Sequence, residues 1–249
     1  VATRGAPRVG STRLEREGRL APGEWLVTGP GDTAQLEVAE IGEVRVSPSS
    51  RVRLVATGPR EHRLLLAQGT LSAKVKAPPR LFLVDTPSGR ASDLGCAYDL
   101  SVDERGAVTL VVTAGAVELA DAERAVFVPA GARCSAAPSG VPGTPVQIAS
   151  SEDFRAVLAD LDLELWKTGT MPAGLVLLAA QLAAFGDDLS LWHLIPRVEP
   201  AARERVIVAL ARLVPLPDEL SLEDAQALDP ETLRRWRQAT DWGQGVGKE

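Results

Sequence analysis

Three observations predict a chain of two unlike parts, all-β and then all-α. Short runs with period-two alternation of apolar and polar residues extend to about residue 136, and apolar residues at spacings of three and four take over after residue 150. A Pro/Gly cluster, Pro138-Ser139-Gly140-Val141-Pro142-Gly143-Thr144-Pro145, separates them, where fixed φ at proline and permissive φ at glycine oppose any regular element. The predicted organisation is a tether over 1–19, a β domain over 20–143 and an α-helical domain over 146–249.

Residues 1–19 carry Arg4, Arg8, Arg13, Arg16 and Arg19 among scattered glycines, and their lack of apolar periodicity predicts a flexible tether. Strands are predicted at Ala34–Val38, Glu43–Val46, Arg51–Val55, Thr70–Val75, Leu81–Val84, Tyr98–Val102, Val108–Val112, Ala116–Leu119 and Ala125–Val128. Several of them, such as Glu43-Val44-Arg45-Val46, alternate so regularly that one face must be buried and the other wet. Their spacing of about 8–12 residues, with no helical pattern between them, predicts a sandwich, barrel or β-solenoid.

In the second part, Ser150 and Ser151 precede Glu152 and Asp153, a serine-then-acid start suited to the positive end of a helix dipole. Phe154, Val157, Leu158, Leu161 and Leu165 then form one apolar stripe. Further helices are predicted at Pro172–Phe185, Leu189–Ile195, Pro200–Val214 and Pro230–Trp242, with a short one from Ser221. Asp229 is the predicted N-cap of the last, with Pro230 at N1. No periodic repeat is visible, so a small helical array is expected.

Composition excludes several functions. With 45% hydrophobic and 24% charged residues the chain is an ordinary globular protein, and acids outnumber bases 33 to 27, giving a net charge of −6 that argues against general nucleic-acid binding. Its longest apolar stretch, Ala173–Ala180 with a continuation past Gln181, is shorter than the roughly 20 residues that cross a bilayer. The chain opens Val1-Ala2-Thr3-Arg4 without initiator Met or signal-peptide pattern, and reads as a fragment or processed form. Two cysteines and two histidines, far apart in sequence, predict no metal site. No nucleophile elbow, phosphate loop, dinucleotide turn, zinc-protease helix or EF-hand pattern occurs, so no catalytic residue and no cofactor are expected.

The first part resembles the FecR family of bacterial extracytoplasmic regulators. The resemblance is carried by Trp25-Leu26-Val27-Thr28, by Gly42-Glu43-Val44-Arg45-Val46 with Ser47-Pro48-Ser49-Ser50, and by Leu64-Leu65-Leu66-Ala67-Gln68-Gly69-Thr70-Leu71, similar to the family's strand, Gly turn, strand. It continues through Phe82-Leu83-Val84-Asp85-Thr86-Pro87, Gly95-Cys96-Ala97-Tyr98-Asp99-Leu100-Ser101-Val102, Val112-Thr113-Ala114-Gly115-Ala116-Val117-Glu118-Leu119 and Val128-Pro129-Ala130-Gly131. It covers about residues 20–136. Gly95-Cys96-Ala97-Tyr98 stands where the family usually has Gly-Thr-x-Phe, and helices follow where its ferric-siderophore transducers have a secretin-like subdomain.

The resemblance implies a periplasmic, twisted β-solenoid or sandwich domain, followed here by the helical array. It further implies a membrane anchor reached only through an N-terminal segment missing from this chain, often with a cytoplasmic anti-sigma part, and action through a protein partner in the cell envelope rather than through nucleic acid. In that oxidising location Cys96 and Cys134, both beside Gly-bearing turns, are expected to form a disulfide, with two buried thiols as the alternative.

Other candidates carry bland readings. His62, between Glu61 and Arg63, is expected to face solvent, and His193 to sit half-buried beside Trp192. Asp160, Asp162, Asp187 and Asp188 are expected to cap helices or lie on a solvated face. Trp192 and Trp236 are expected in the core, and Trp25 at the start of the β domain. Trp242 is the candidate exposed binding aromatic, with packing back on the helices as the alternative. The expected function is extracytoplasmic sensing and regulation by protein contact. The alternatives are a non-signalling scaffold of an envelope complex and, from another class, a hydrolase whose carboxylates converge only in three dimensions.

Overall fold

The computed structural model describes residues 1–138 and 140–242. It resolves into two compact units, Val1–Gly143 and Thr144–Glu249. The first holds fifteen strands among the described residues: β1 (Ala2–Arg4), β2 (Arg8–Val9), β3 (Thr12–Arg13), β4 (Trp25–Val27), β5 (Thr33–Val38), β6 (Gly42–Val46), β7 (Arg51–Gly58), β8 (Glu61–Val75), β9 (Phe82–Thr86), β10 (Gly89–Asp93), β11 (Ala97–Val102), β12 (Val108–Ala114), β13 (Ala116–Ala120), β14 (Ala125–Pro129) and β15 (Ala132–Ala136). They form two ladders that share β8. One runs β1-β5-β6-β8-β11-β12-β15 and the other β3-β2-β4-β7-β8-β9-β10-β13-β14. The sheet is mixed, because β8 and β9 pair in parallel.

The geometry of β8 explains the two ladders. Its first half buries His62, Leu64 and Leu66 and its second half Leu71, Ala73 and Val75, so the buried set changes from even to odd positions across Gly69. A one-residue shift of phase turns the opposite face inward. Residues 76–81 then return the chain to Phe82, which pairs with His62. That connection spans at most about 24 Å, whereas a straight strand from His62 to Val75 would run about 43 Å. β8 therefore bends at Gly69, whose φ of 90° lies in the left-handed region. A Cβ there would lie 2.2 Å from Ser50 Oγ. The family-like stretch around Gly69, expected as a strand-turn-strand, is one bent strand because each half has partners of its own.

The same device recurs between β12 and β13. Val108, Leu110 and Val112 are buried before Gly115, and Val117 and Leu119 after it; Gly115 has a φ of 68°, and a Cβ on it would meet Gly95 O at 2.2 Å. From β5 to β14 the chain lays two strand segments in one ladder, crosses, and lays two in the other, except that the second half of β8 stands alone in its ladder before the chain crosses back to β9. Polar staples fix the crossings: Ser50 N–H donates to Thr28 Oγ1 at 2.9 Å and Thr70 N–H to Ser50 Oγ at 2.9 Å. Ser88 Oγ donates to Gly106 O at 2.5 Å, tying the β9–β10 turn to the β11–β12 turn.

The arginine-rich start is built into this sheet rather than forming a tether. β1 pairs with β5, β2 with both β3 and β4, and Val9 is buried. Strand formation here rests on long-range backbone pairing, which short runs without apolar periodicity do not announce.

The second unit holds a short strand, β16 (Val146–Gln147), and the helices α1 (Glu152–Thr168), α2 (Ala173–Leu182), α3 (Asp188–Leu194), α4 (Pro200–Leu213), α5 (Leu222–Gln226) and α6 (Pro230–Gln238), with a 3-10 turn at Ile195–Arg197. Phe154 N–H donates to the N-cap Ser151 Oγ at 3.2 Å, and Thr232 N–H to the N-cap Asp229 Oδ2 at 2.7 Å. Phe154, Leu158 and Leu161 of α1 join Val176 of α2, Leu191 of α3, Val206 and Leu210 of α4 and Trp236 of α6 in one core. Among the described residues no helix is long and apolar enough to cross a membrane.

Candidate functional site

The chemistry-bearing residues fall into separate places in the two units. In the β unit, the turn from β10 to β11 gathers Asp93, Cys96 and Tyr98, all buried. Cys96 Sγ–H donates to Asp93 Oδ2, and Gly95 N–H to Asp93 Oδ1 at 2.6 Å. Burial pushes the Asp93 carboxyl above its ordinary range, against the pull of these donors. Burial likewise raises the Cys96 thiol, and the hydrogen bond and charge of Asp93 raise it further. Tyr98 is raised well above the usual phenol by burial, with Cys96 and Asp93 adding to it, and its hydroxyl has no hydrogen-bond partner among the described residues. The raised thiol and phenol make Cys96 and Tyr98 poor nucleophiles.

Cys96 and Cys134 are both buried thiols and do not form the expected disulfide. Cys134 stands opposite Leu110 on β12, whereas Ala97, beside Cys96, stands opposite Ala114. That offset is about 13 Å along the strands, before any separation across them, and a bridge needs Cα atoms within about 7 Å. His62 also departs from its expected exposure. It is buried with Leu64 and Leu66, and its Nδ1 lies 2.9 Å from Thr57 Oγ1. Flanking charges suggested exposure, but alternation along β8 sets its direction.

At the start of the β unit, Trp25 lies under two guanidinium groups, Arg51 at 4.2 Å and Arg53 at 5.8 Å from the ring centre. Arg53 Nε also donates to Gly23 O at 3.1 Å. Cation–π contact of this kind holds both arginines over the Trp25 ring on the outer surface of β4 and β7.

In the helical unit Trp192, His193, Trp236 and Trp242 converge. Trp236, fully buried, donates from Nε1 to Val214 O at 3.0 Å and meets Trp192 edge-on at 6.3 Å. Trp242 meets Trp192 at 6.2 Å, stacks on His193 at 6.2 Å and donates from Nε1 to Asp188 Oδ2 at 2.7 Å. The candidate binding aromatic is thus half-buried and packed back on α3. Burial raises the Asp188 carboxyl, the Trp242 hydrogen bond holds it down, and Asp241 and Asp187 push it up again.

Of the acidic residues expected to cap helices or lie on a solvated face, Asp162 and Asp187 are buried, Asp187 at the N-cap position of α3. Asp162 accepts Thr144 N–H at 2.7 Å and Thr144 Oγ1–H at 2.8 Å, and lies 3.7 Å from Arg197. Asp187 accepts from Ser150 Oγ and from Ala184 N–H at 2.9 Å. Asp160 is exposed, as expected. Buried carboxylates spent on backbone and hydroxyl donors stitch loops to helices rather than face a substrate.

Residues 24–118 match the family model described as FecR protein. The match lies wholly within the β unit. It runs from the residue before β4 into β13, and so contains the bend at Gly69, the Asp93–Cys96 turn and Trp25. The helical unit lies outside the FecR match. Two crystal structures of a "putative anti-sigma factor from Parabacteroides distasonis ATCC 8503", at 1.65 Å and 2.50 Å, are similar to the chain at 13% identity with a TM-score of 0.43; each covers 54% of this chain, and the similarity spans 64% and 63% of their own lengths. No curated protein matches the chain.

Proposed function

We propose that the chain is the extracytoplasmic regulatory part of a FecR-like, anti-sigma-type transmembrane signalling protein, acting by contact with a protein partner in the cell envelope and catalysing no reaction. The observation that carries this reading is the FecR match over residues 24–118. The internal use of Asp93, Asp162 and Asp187 supports it, because an acid–base enzyme would hold such groups within reach of a substrate. In this reading the protein is periplasmic, anchored through an N-terminal segment, and the helical unit conveys or receives the contact. The test is deletion of residues 146–249 from the full-length protein in its host. The regulated transcriptional output should change while membrane insertion persists. Unchanged output, with no partner captured by in vivo crosslinking from either unit, would make the protein a passive scaffold instead.

A further inference from the structure

The outer face of β3, β2, β4 and β7 concentrates positive charge. Arg13 of β3 stands opposite Arg8 of β2, Arg8 opposite Val27 of β4, and Val27 opposite Arg51 of β7, while Trp25 stands opposite Arg53. The alternate residues Val9, Leu26 and Val52 are buried, so Arg8, Arg13, Arg51 and Arg53 share the exposed face. With neighbouring strands about 4.8 Å apart and residues i and i+2 about 6.8 Å apart, the four guanidinium groups rise from a patch of about 14 by 7 Å. Like charges directly opposed on a sheet destabilise it. Yet none of the four makes an ion pair within 4 Å among the described residues. The neighbouring carboxylates are engaged elsewhere: Asp32, whose carboxyl Arg13 helps to hold down, accepts Ala6 N–H and Gly29 N–H, and Glu24 accepts Ala21 N–H. This occurs on a chain whose net charge is −6.

We propose that this face binds a short acidic segment of a partner protein, with Arg8, Arg13, Arg51 and Arg53 pairing its carboxylates and Trp25 positioning Arg51 and Arg53. The proposal names the partner chemistry for the contact inferred above and rests on that reading for its role in the cell. Arginine suits carboxylates because its planar fork donates to both oxygens at once. An extended peptide carries side chains of one face about 6.8 Å apart, the spacing of Arg51 and Arg53 along β7. A bilayer fits less well, since Trp25 lies under Arg51 and only the partly exposed Val27 remains as an apolar group to insert. A long nucleic acid would run past the patch onto an acidic protein, and the covered indole offers a poor platform for base stacking.

The test uses the full chain and fluorescence anisotropy with a labelled ten-residue Glu-Ser repeat peptide, its Gln-Ser counterpart, a single-stranded oligonucleotide, and vesicles containing phosphatidylglycerol. The Glu-Ser peptide should bind and the Gln-Ser peptide should not. Arg8→Gln with Arg51→Gln should weaken binding at least tenfold, while Arg105→Gln, on the exposed β11–β12 turn, leaves it unchanged. The melting temperature of Arg8→Gln should equal or exceed that of the parent, because a like-charge pair is removed, so lost binding is not lost folding. No peptide binding, equal losses in the Arg105 variant, or tighter binding of the oligonucleotide or vesicles would overturn the proposal. Peptide binding together with an unchanged output in the host deletion experiment and no partner captured by crosslinking from either unit would leave this surface standing and remove the regulatory role.

Discussion

Asp93 shows how a single residue can set a pH dependence. Burial raises its carboxyl, so the folded protein holds a proton that the unfolded chain releases above about pH 3.9. Bound protons then favour the folded state, and stability falls as pH rises from the ordinary aspartate range through the raised value. Asp93→Asn cannot titrate and retains an acceptor for Gly95 N–H. Urea midpoints of the parent should therefore fall relative to the variant between pH 4 and 8; parallel curves would show that Asp93 ionises normally. Such residues were poorly legible in the sequence. Asp162 follows Leu161 in an amphipathic stripe and read as solvated, and only Arg197 and Thr144, distant in sequence, give it a buried setting. Asp93 carried no local signal apart from the departure at Cys96 and Tyr98, the residues that share its turn.

At the scale of the element, Gly69 has the clearest mechanical role. A methyl group there would lie 2.2 Å from Ser50 Oγ and 2.5 Å from Ser50 Cα, on a backbone with φ of 90°. Gly69→Ala should cost about 2–4 kcal/mol, read as a lowered denaturation midpoint with the native spectrum retained. Gly174→Ala serves as the control, since a Cβ there meets nothing within 4 Å, and it should not lower the midpoint. The bend was half legible. Leu64 and Leu66 lie at even positions and Leu71, Ala73 and Val75 at odd ones, so the change of phase is written in the sequence. What the phase does not reveal is whether the chain reverses or continues, because that depends on β6, β7, β9 and β11 arriving from elsewhere. Helix starts were more legible, since Ser151 and Asp229 act on donors within three residues.

For the whole molecule, we propose that the two units fold as separate domains. The Pro/Gly cluster between them is tighter than its composition suggests. Residues 142–145 are buried, Gly143 N–H donates to Ser135 O at 2.7 Å, and Ala136 bridges Pro142. Brief digestion of the native protein with proteinase K should cut near the exposed Pro138, and not within 142–145, releasing fragments of about the size of each unit. Cleavage spread through both units before any boundary product would argue against separate domains. The division into alternating and helical parts was readable because each part obeys one period. The pairing of the first thirteen residues was not, since those short strands owe their form to β4 and β5.

The bent β8 also imposes an order of events on the folding chain. It is flanked by β6 and β7, which precede it, and by β9 and β11, which follow it. Until Val75 has emerged from the ribosome or translocation channel, the earlier strands lack their common neighbour, and β9 and β11 have no template to join. Such a hub raises contact order and makes assembly slow and all-or-none. The β unit therefore has few stable partial forms, and a delay in ordering residues 61–75 leaves bare strand edges exposed to aggregation.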